Sequence, residues 1–272
     1  MKEKLEMMKI NLKTWRYIDS GICSAERNMA IDEALLLNFK EFDMPIFRLY
    51  EWDKALSFGR FSNIKQSIDI DLLHKRGIQC VRRFSGGGTL VHDHDLSYSL
   101  ILPRTFAKTK GVKESYHFLC KFLIRLYEKL GLNANFASDL DINKKSSNIC
   151  LAGFEDYDII IENMKIGGNA QRHIKDAFIQ HGSIPISYDI SLFESLFLEY
   201  SGLSHAASLS KFNIDIDLNS LKKIVLETFC ESFDATVIHD DLSPQEDDDA
   251  TRLLVQKYSN DEWTFHKNTK LS

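Results

Sequence analysis

The residues best suited to chemistry lie close together near the middle of the chain. Arg82 and Arg83 are followed, after two residues, by the consecutive glycines Gly86, Gly87 and Gly88. Glycine has no Cβ, so this backbone can take conformations with positive φ and approach a ligand closely. Such a bend also directs backbone N–H groups at an anion or a carbonyl oxygen, and planar guanidinium groups bind phosphates and carboxylates. The stretch predicts a ligand-binding loop with the charge of both arginines at its mouth.

The run His92-Asp93-His94-Asp95 raises the question of a metal site. His92 and His94 would share one face of a strand, because side chains alternate between faces with a period of two. Zinc in proteins usually takes three or four protein ligands, and the sequence offers no well-spaced set of partners. We therefore predict no metal at this position.

Composition and charge exclude several broad classes of protein. The chain has 272 residues, of which 44% are hydrophobic and 27% charged, and a formal net charge of −5, which argues against a nucleic-acid binder that relies on a basic face. Its five cysteines are widely spaced with no CxxC pair, a pattern typical of a reducing compartment. The N-terminus has no signal-peptide core, and no apolar run reaches the roughly 18 residues of a membrane span. We expect a cytoplasmic protein with no membrane or nucleic-acid partner.

Periodicity and capping residues predict a mixed α/β chain. Ser24 is expected to cap a helix in which Asp32 and Glu33 lie on a solvated face, and Ser243 with Pro244 is expected to open a helix to about residue 257. The acidic run 240–249 is interpreted as an electrostatic helix start rather than a metal site. Further helices are predicted at about 69–76, 112–130, 190–199 and 217–232. Strands are predicted at 14–19, 46–51, 55–59, 78–83, 96–102 and 235–238, with a meander over 157–187.

Several motifs together resemble the lipoate/octanoate protein ligase and transferase family. They are Arg82-Arg83-Phe84-Ser85-Gly86-Gly87-Gly88, His92-Asp93, Leu96-Ser97-Tyr98-Ser99, and a pattern that extends from about Trp15 to Trp263. The resemblance implies an α/β (α+β) fold of the biotin/lipoate protein ligase catalytic-domain type, with mixed, largely antiparallel sheets flanked by helices. It also implies a single catalytic domain over 1–272, with a core at about 14–240, a C-terminal helix and tail at 241–272, and no accessory domain.

The resemblance also indicates which residues carry the chemistry. Ser146-Ser147-Asn148-Ile149-Cys150 fits the S-S-x-x-C context of a nucleophilic cysteine, and Lys165 begins the family's K-I-x-G-x-A-Q segment, which ends at Gln171. A thiolate is the attacking species, and a neighbouring ammonium lowers a thiol pKa, so Lys165 would activate Cys150. His94-Asp95-Leu96 stands where ligases usually read L-G-N. This difference and Cys150 favour the cysteine-dependent octanoyl-[acyl carrier protein]:protein N-octanoyltransferase branch.

In that branch the expected reaction is acyl transfer in two halves. Cys150 would take an octanoyl group from acyl carrier protein and pass it to a lysine of a lipoyl domain, such as those of glycine cleavage H protein or 2-oxoacid dehydrogenase E2, with no cofactor required. An octanoyl amidotransferase acting between lipoyl-domain proteins would use the same two residues. An ATP-dependent lipoate-protein ligase is a second alternative, because the matching lysine of ligases contacts the acyl-adenylate. A non-catalytic binder of lipoyl domains is a third.

The expected substrate-binding residues surround this pair. Arg82 and Arg83 would hold a pantetheine phosphate or an acidic carrier protein. The glycine loop would supply backbone donors near the acyl carbonyl or shape the channel wall, and His181 would orient substrate or be structural. Phe58, Phe61 and Tyr98 are candidates for the alkyl tunnel. Gly167-Gly168-Asn169 departs from the family's A/S-G-S, which predicts added flexibility beside Lys165. The complete expected set is Arg82, Arg83, Ser85, Gly86, Gly87, Gly88, His92, Gly168, Asn169, Ala170 and His181.

Overall fold

The computed structural model describes residues 12–140 and 155–266. Within them, a mixed six-stranded sheet runs in the order β10-β11-β6-β2-β1-β12, and two three-stranded sheets run β4-β3-β5 and β7-β8-β9. The strands are β1 (Thr14–Cys23), β2 (Ile46–Trp52), β3 (Ala55–Phe58), β4 (Gln79–Arg82), β5 (Thr89–His92), β6 (His94–Pro103), β7 (Ala134–Phe136), β8 (Ile159–Ile161), β9 (Met164–Lys165), β10 (Gly168–His173), β11 (Ala177–Ser187) and β12 (Thr236–His239). In the large sheet β1 pairs with β2 and β12 in parallel, and the remaining pairs are antiparallel.

Helices cover both faces of the large sheet, which confirms the predicted fold class. They are α1 (Ala25–Asn38), α2 (Ile64–Ser67), α3 (Ile70–Lys75), α4 (Arg104–Lys110), α5 (Val112–Leu119), α6 (Lys121–Lys129), α7 (Ile190–Glu194), α8 (Leu218–Phe233), α9 (Pro244–Leu253) and α10 (Asp261–His266). Short 3₁₀ helices lie at Ala137–Asp139, Leu203–His205 and Ser210–Phe212, and a π-helical turn at Leu254–Tyr258 follows α9. No helix among the described residues is long and apolar enough to span a membrane.

Strand β2 shows how the two sides of the large sheet are built. Phe47 and Leu49 point into the core formed with α6 and α8, whereas Tyr50 and Trp52 point into the core formed with α1 and α9. This alternation follows from the two-residue period of a strand. The side chains of Tyr50 and Trp52 are thereby directed to the α1 side of the sheet.

The predicted elements differ from the structure at a few boundaries. The single helix expected at 112–130 is interrupted at Cys120, and the helix expected at 190–199 ends at Glu194. The expected meander over 157–187 is divided between two sheets, since β8 and β9 pair with each other while β10 pairs with β11. The chain changes sheets at Gly167, whose φ is +66°.

The conformation of Gly167 requires a glycine. A Cβ at this position would lie 2.2 Å from the carbonyl oxygen of Ser183, and L side chains rarely adopt its positive φ. The turn from β9 to β10 therefore demands a glycine, whatever its flexibility. Capping was predicted correctly, because the Ser24 side chain accepts a hydrogen bond from Arg27 N–H and Ser243 forms a capping box with Glu246.

Candidate active site

The glycine loop between β4 and β5 is held in place by the side chain of Arg83. Its Nη1 donates to the Ser57 carbonyl oxygen at 2.7 Å, and its Nη2 donates to the carbonyl oxygens of Gly86 and Gly88 at 3.1 and 2.7 Å. On the other side of the loop, a Cβ at Gly59 would lie 1.7 Å from the Gly87 carbonyl oxygen. Residue 59 must therefore be glycine for the loop to pack against the end of β3.

Arg82 lies behind the same loop and binds backbone carbonyl groups. Its Nε donates to the carbonyl oxygens of Trp263 and Thr264 at 3.0 and 2.9 Å, and its Nη1 donates to those of Arg60 and Ser62 at 3.0 and 2.9 Å. The Trp263 indole N–H donates back to the Arg82 carbonyl at 2.9 Å. Arg82 thus joins the loop to α10, near the C-terminal end of the described chain.

These contacts correct the expected positions of the two arginines. Arg82 and Arg83 are 0% and 3% exposed, so neither presents its charge at the mouth of the loop. The loop and the β3–α2 connection bring many carbonyl oxygens together, and the guanidinium donors satisfy them. Arg83 nevertheless lines the candidate site with part of its side chain.

Two connected spaces meet beside the glycine loop. The first, here called the inner cavity, is lined by Met29, Tyr50, Trp52, Ser57, Arg83, Gly87, Leu90, His92, Ser97, Lys165, Gly168, Asn169, Ala170, His181 and Gly182. The second, here called the outer cleft, has a volume of about 500 Å³ and is lined by Phe61, Ser62, Gly86, Gly87, Gly88, Tyr116, Glu155, Tyr157, Asp158, Lys165, Asn169, Ala170 and Gln171. Residues common to both mark the junction: Gly87, Lys165, Asn169 and Ala170. The far wall of the inner cavity comes from α1 and β2.

A buried ion-pair network supports one side of the inner cavity. The Asp32 carboxylate pairs with Arg48 at 2.7 Å, accepts the Ser99 hydroxyl at 2.7 Å and contacts His181 Nδ1 at 3.1 Å. His181 Nε2 lies 2.6 Å from Ser85 Oγ. Both ring nitrogens of His181 therefore contact protein groups, Ser85 Oγ and Asp32 Oδ2.

The position of Asp32 corrects the expectation of a solvated helix face. Its side chain and that of Arg48 are both 0% exposed. Burial alone would raise the pKa of the Asp32 carboxyl, but the Arg48 charge and the hydrogen bonds from His181 and Ser99 outweigh it and hold the pKa below its usual range. Glu33 is also paired, accepting hydrogen bonds from Lys257 and Tyr258.

A second histidine network lines the inner cavity beside β5. His92 Nε2 lies 2.8 Å from Ser57 Oγ, and His92 Nδ1 lies 3.0 Å from Asp95 Oδ2. The ring stacks on Trp52 at 3.8 Å between centroids, and the Trp52 indole N–H donates to Ser97 Oγ. These contacts fix both aromatic rings. Among residues 12–140 and 155–266, no group of three or more His, Cys, Asp or Glu could hold a metal ion.

Lys165 lies at the junction of the inner cavity and the outer cleft. Its ammonium group forms an ion pair of 2.7 Å with Asp158, and the two side chains are only 5% and 4% exposed. Its carbonyl oxygen accepts a hydrogen bond from Ala207 N–H at 2.9 Å, which fixes the backbone. A buried cation is thus placed where the two spaces meet.

The sequence profile of the lipoyl protein ligase A/B catalytic domain matches residues 24–230. The chain belongs to this family. Octanoyltransferase LipM of Bacillus subtilis (strain 168) is 34% identical to it, with 94% of this chain and 99% of that protein aligned. Octanoyltransferase LipM of Kyrpidia tusciae is 31% identical, with 94% and 100% aligned. The family and these relatives show that the protein is an acyltransferase.

Solved structures of the lipoyl ligase family share the fold. A lipoate-protein ligase A bound with ATP superposes with a TM-score of 0.79 at 23% identity, covering 93% of this chain and 98% of that one. A putative lipoate protein ligase from T. acidophilum with bound lipoic acid gives 0.79 at 22% identity, covering 93% and 99%. The predicted biotin/lipoate ligase type of fold is confirmed.

The structure brings most of the predicted family residues together, though not all of them. Those that line the inner cavity or the outer cleft are Arg83, Gly86, Gly87, Gly88, His92, Lys165, Gly168, Asn169, Ala170 and His181. Arg82 and Ser85 line neither space. Cys150 lies outside the described residues, so its contact with Lys165 stays a prediction.

The candidates for the alkyl tunnel are placed differently from expectation. Phe58 lies in a separate core cluster, and Tyr98 lies in the main core with its hydroxyl donating to Asn169 Oδ1 at 2.6 Å. Phe61 is 76% exposed in the outer cleft. The apolar wall instead comes from Leu90, Met29, Tyr50 and Trp52, none of which the sequence motifs indicated. The alternation of β2 was the available signal for the last two.

Proposed function

We propose that this protein transfers an octanoyl group from acyl carrier protein to the lysine of a lipoyl domain through a thioester on Cys150. The observation that carries the proposal is the buried ammonium of Lys165 where the narrow inner cavity opens into the wide outer cleft. The apolar lining of the inner cavity is compatible with an alkyl chain, and the outer cleft is the proposed site of the carrier arm and later of the acceptor lysine. The relatives named octanoyltransferase LipM support the same acyl group.

The proposed reaction is a pair of thioester and amide exchanges. In the first half, the Cys150 thiolate attacks the octanoyl carbonyl, a new S–C bond forms, and the pantetheine sulfur leaves and takes up a proton. In the second half, the neutral ε-amine of the acceptor lysine attacks the same carbon, the Cys150 S–C bond breaks, and the nitrogen loses a proton. No ATP or cofactor is consumed. The Lys165 ammonium would stabilise the thiolate.

Three of the four described cysteines are poor candidates for the nucleophile. Burial raises the pKa of both the Cys120 and the Cys80 thiol to about 12, and it also raises the pKa of Cys230. Thiols of this kind remain protonated near neutral pH and attack thioesters poorly. Because Cys150 precedes Lys165 by fifteen residues in the family pattern, it is the proposed nucleophile.

The proposed partners are acyl carrier protein as donor and lipoyl domains as acceptors, including glycine cleavage H protein and 2-oxoacid dehydrogenase E2. One structural neighbour is described as an archaeal bipartite lipoate protein ligase with its E2 lipoyl domain. This supports lipoyl domains as the acceptor class. We propose a cytoplasmic site of action, consistent with a reaction between cytoplasmic carrier proteins.

Intact-protein mass spectrometry tests the thioester directly. The wild-type protein is mixed with octanoyl-acyl carrier protein without ATP or acceptor. We expect a covalent octanoyl adduct that is absent in Cys150→Ala, is retained in the control Cys230→Ala, and disappears when a lipoyl domain is added. No adduct, with acylation only when ATP and free octanoate are supplied, would show a ligase. An adduct formed from an octanoylated lipoyl protein, but not from the carrier, would show an amidotransferase.

The apolar wall of the inner cavity predicts its chain-length preference. Met29 is 1% exposed on the α1 wall, while Tyr50 and Trp52 are fixed by hydrogen bonds to Asp32 and Ser97. Shortening Met29 to alanine should extend the cavity without moving the two fixed rings. We expect the rate ratio of decanoyl to octanoyl transfer to rise about tenfold, since one or two methylenes in an apolar pocket change selectivity by about 10–200-fold.

Competition between octanoyl- and decanoyl-carrier protein in one reaction would measure this ratio. Met44→Ala is the matched control, because Met44 is 41% exposed and lies outside both spaces. An unchanged ratio in a folded Met29→Ala variant would show that another wall limits the chain.

A further inference from the structure

We propose that Asp158 is a positioning residue for acyl transfer, whose carboxylate holds the Lys165 ammonium at the junction of the inner cavity and the outer cleft. The inference rests on the proposed function, in which Lys165 acts on the octanoyl-transfer step. It adds a residue that the sequence motifs do not include.

The β8–β9 hairpin places the two side chains on the same face. Ile160 is the cross-strand partner of Lys165, and Asp158 lies two residues earlier, so it is the diagonal neighbour of Lys165. Diagonal pairs are within reach of long side chains. Glu162 and Asn163 close the hairpin with φ of +48° and +63°, as a two-residue turn with positive φ at both positions requires. The hairpin therefore fixes the distance between the Asp158 carboxylate and the Lys165 ammonium.

The Asp158 carboxylate is itself held by the backbone. Its Oδ2 accepts hydrogen bonds from Glu155 N–H at 2.8 Å and from Lys165 Nζ at 2.7 Å. The backbone N–H of Asp158 donates to the Glu155 carbonyl at 3.0 Å, and its carbonyl accepts from Ala137 N–H at 2.8 Å. A carboxylate fixed in this way can fix the ammonium that pairs with it. An ammonium has three N–H donors, so directing one at Oδ2 restricts the directions of the others.

Stability alone is a weak reason for this ion pair. Burying two charges costs several kcal/mol per ion, and the attraction between them often does no more than offset this cost. The pair also does not lie within an apolar core, because Asp158 lines the outer cleft and Lys165 lines both spaces. A fixed cation where two binding spaces meet is instead the arrangement that preorganised catalysis uses.

Single-turnover kinetics of the acyl-enzyme step provides the test. We expect Asp158→Asn to lower the rate of octanoyl-enzyme formation at saturating octanoyl-carrier protein by roughly 10–100-fold, since misplacement by about 1 Å can cost 10²-fold. The donor concentration for half-maximal rate should stay close to that of the wild type. Asp158→Glu should recover part of the rate. Asp156→Asn is the matched control, because Asp156 lies in the same turn but pairs with Lys113 at the surface.

A double-mutant cycle separates positioning from a general structural role. If Asp158 acts through Lys165, then Asp158→Asn will cause no further loss of rate in a Lys165→Met background. An equal further loss in that background would overturn the proposal, as would a raised half-saturation concentration with an unchanged maximal rate. Thermal melting of each variant shows whether it is folded. If the wild-type protein forms no octanoyl-enzyme at all, the proposed function fails instead, so the two failures are distinguishable.

Discussion

Replacing Lys165 by methionine is expected to slow formation of the octanoyl-enzyme by roughly 10²–10⁴-fold, the range typical of losing a positioned proton-transfer or charge-stabilising group. Methionine keeps much of the apolar stem and removes the ammonium from the junction of the inner cavity and the outer cleft. Without that charge the Cys150 thiol would remain largely protonated, because an unperturbed thiol has a pKa of about 8.5. The loss should appear in the first half-reaction.

Mass spectrometry of quenched single-turnover samples would measure the rate of acyl-enzyme formation. A second readout is alkylation of Cys150 by iodoacetamide, which should slow in Lys165→Met because alkylation requires the thiolate. Lys175→Met is the matched control, since Lys175 is exposed in the turn between β10 and β11. A Lys165→Met variant that acylates as fast as the wild type would remove Lys165 from the mechanism. In that case the inner cavity would bind the acyl chain without a contribution from Lys165 to the reaction.

The sequence predicted the parts of this site that depend on local chemistry. The Ser24 and Ser243 caps were predicted correctly from short runs of residues, and the glycine loop and the K-I-x-G-x-A-Q segment both line the candidate site. Each depends on a conformation that a few neighbouring residues determine. The family resemblance then supplied the arrangement of sheets, which local patterns do not specify.

The failures concern side chains whose partners are distant in the chain. Asp32 contacts Arg48, Ser99 and His181, which lie 16, 67 and 149 residues away. Arg82 contacts Trp263, which is 181 residues away. A charged residue on an amphipathic helix is usually solvated, and a basic pair beside a glycine loop usually faces an anion, so local rules gave the wrong environment. Only the packed sheet and helices bring these partners together.

Removing the Asp32 carboxylate should therefore affect stability more than a typical surface change. We expect Asp32→Ala to lower the free energy of unfolding by about 3–5 kcal/mol, because breaking a buried ion pair leaves the partner charge uncompensated. Arg48 is 0% exposed and would retain its charge beside Tyr50, with the guanidinium 4.0 Å from the ring centroid. His181 would also lose the acceptor for its Nδ1.

Urea unfolding followed by tryptophan fluorescence would measure the change at neutral pH. Asp71→Ala is the matched control, since Asp71 is an exposed aspartate on α3 and should change the free energy by no more than about 0.5 kcal/mol. A loss below about 1 kcal/mol in Asp32→Ala would show that the network around Arg48 rearranges at little cost.

The Asp32 carboxylate is also expected to make the free energy of unfolding depend on pH. The pKa of Asp32 is lowered in the folded protein, so its contribution to stability is complete above the unfolded value of about 3.9. That contribution is lost as the pH falls through the lower, folded pKa. Asp32→Asn cannot take up this proton, so its free energy of unfolding should decline less steeply between about pH 5 and pH 2 than that of the wild type. Parallel acid curves for the two proteins would show that Asp32 does not couple to folding, and the buried contacts with Arg48 and His181 would then need another explanation.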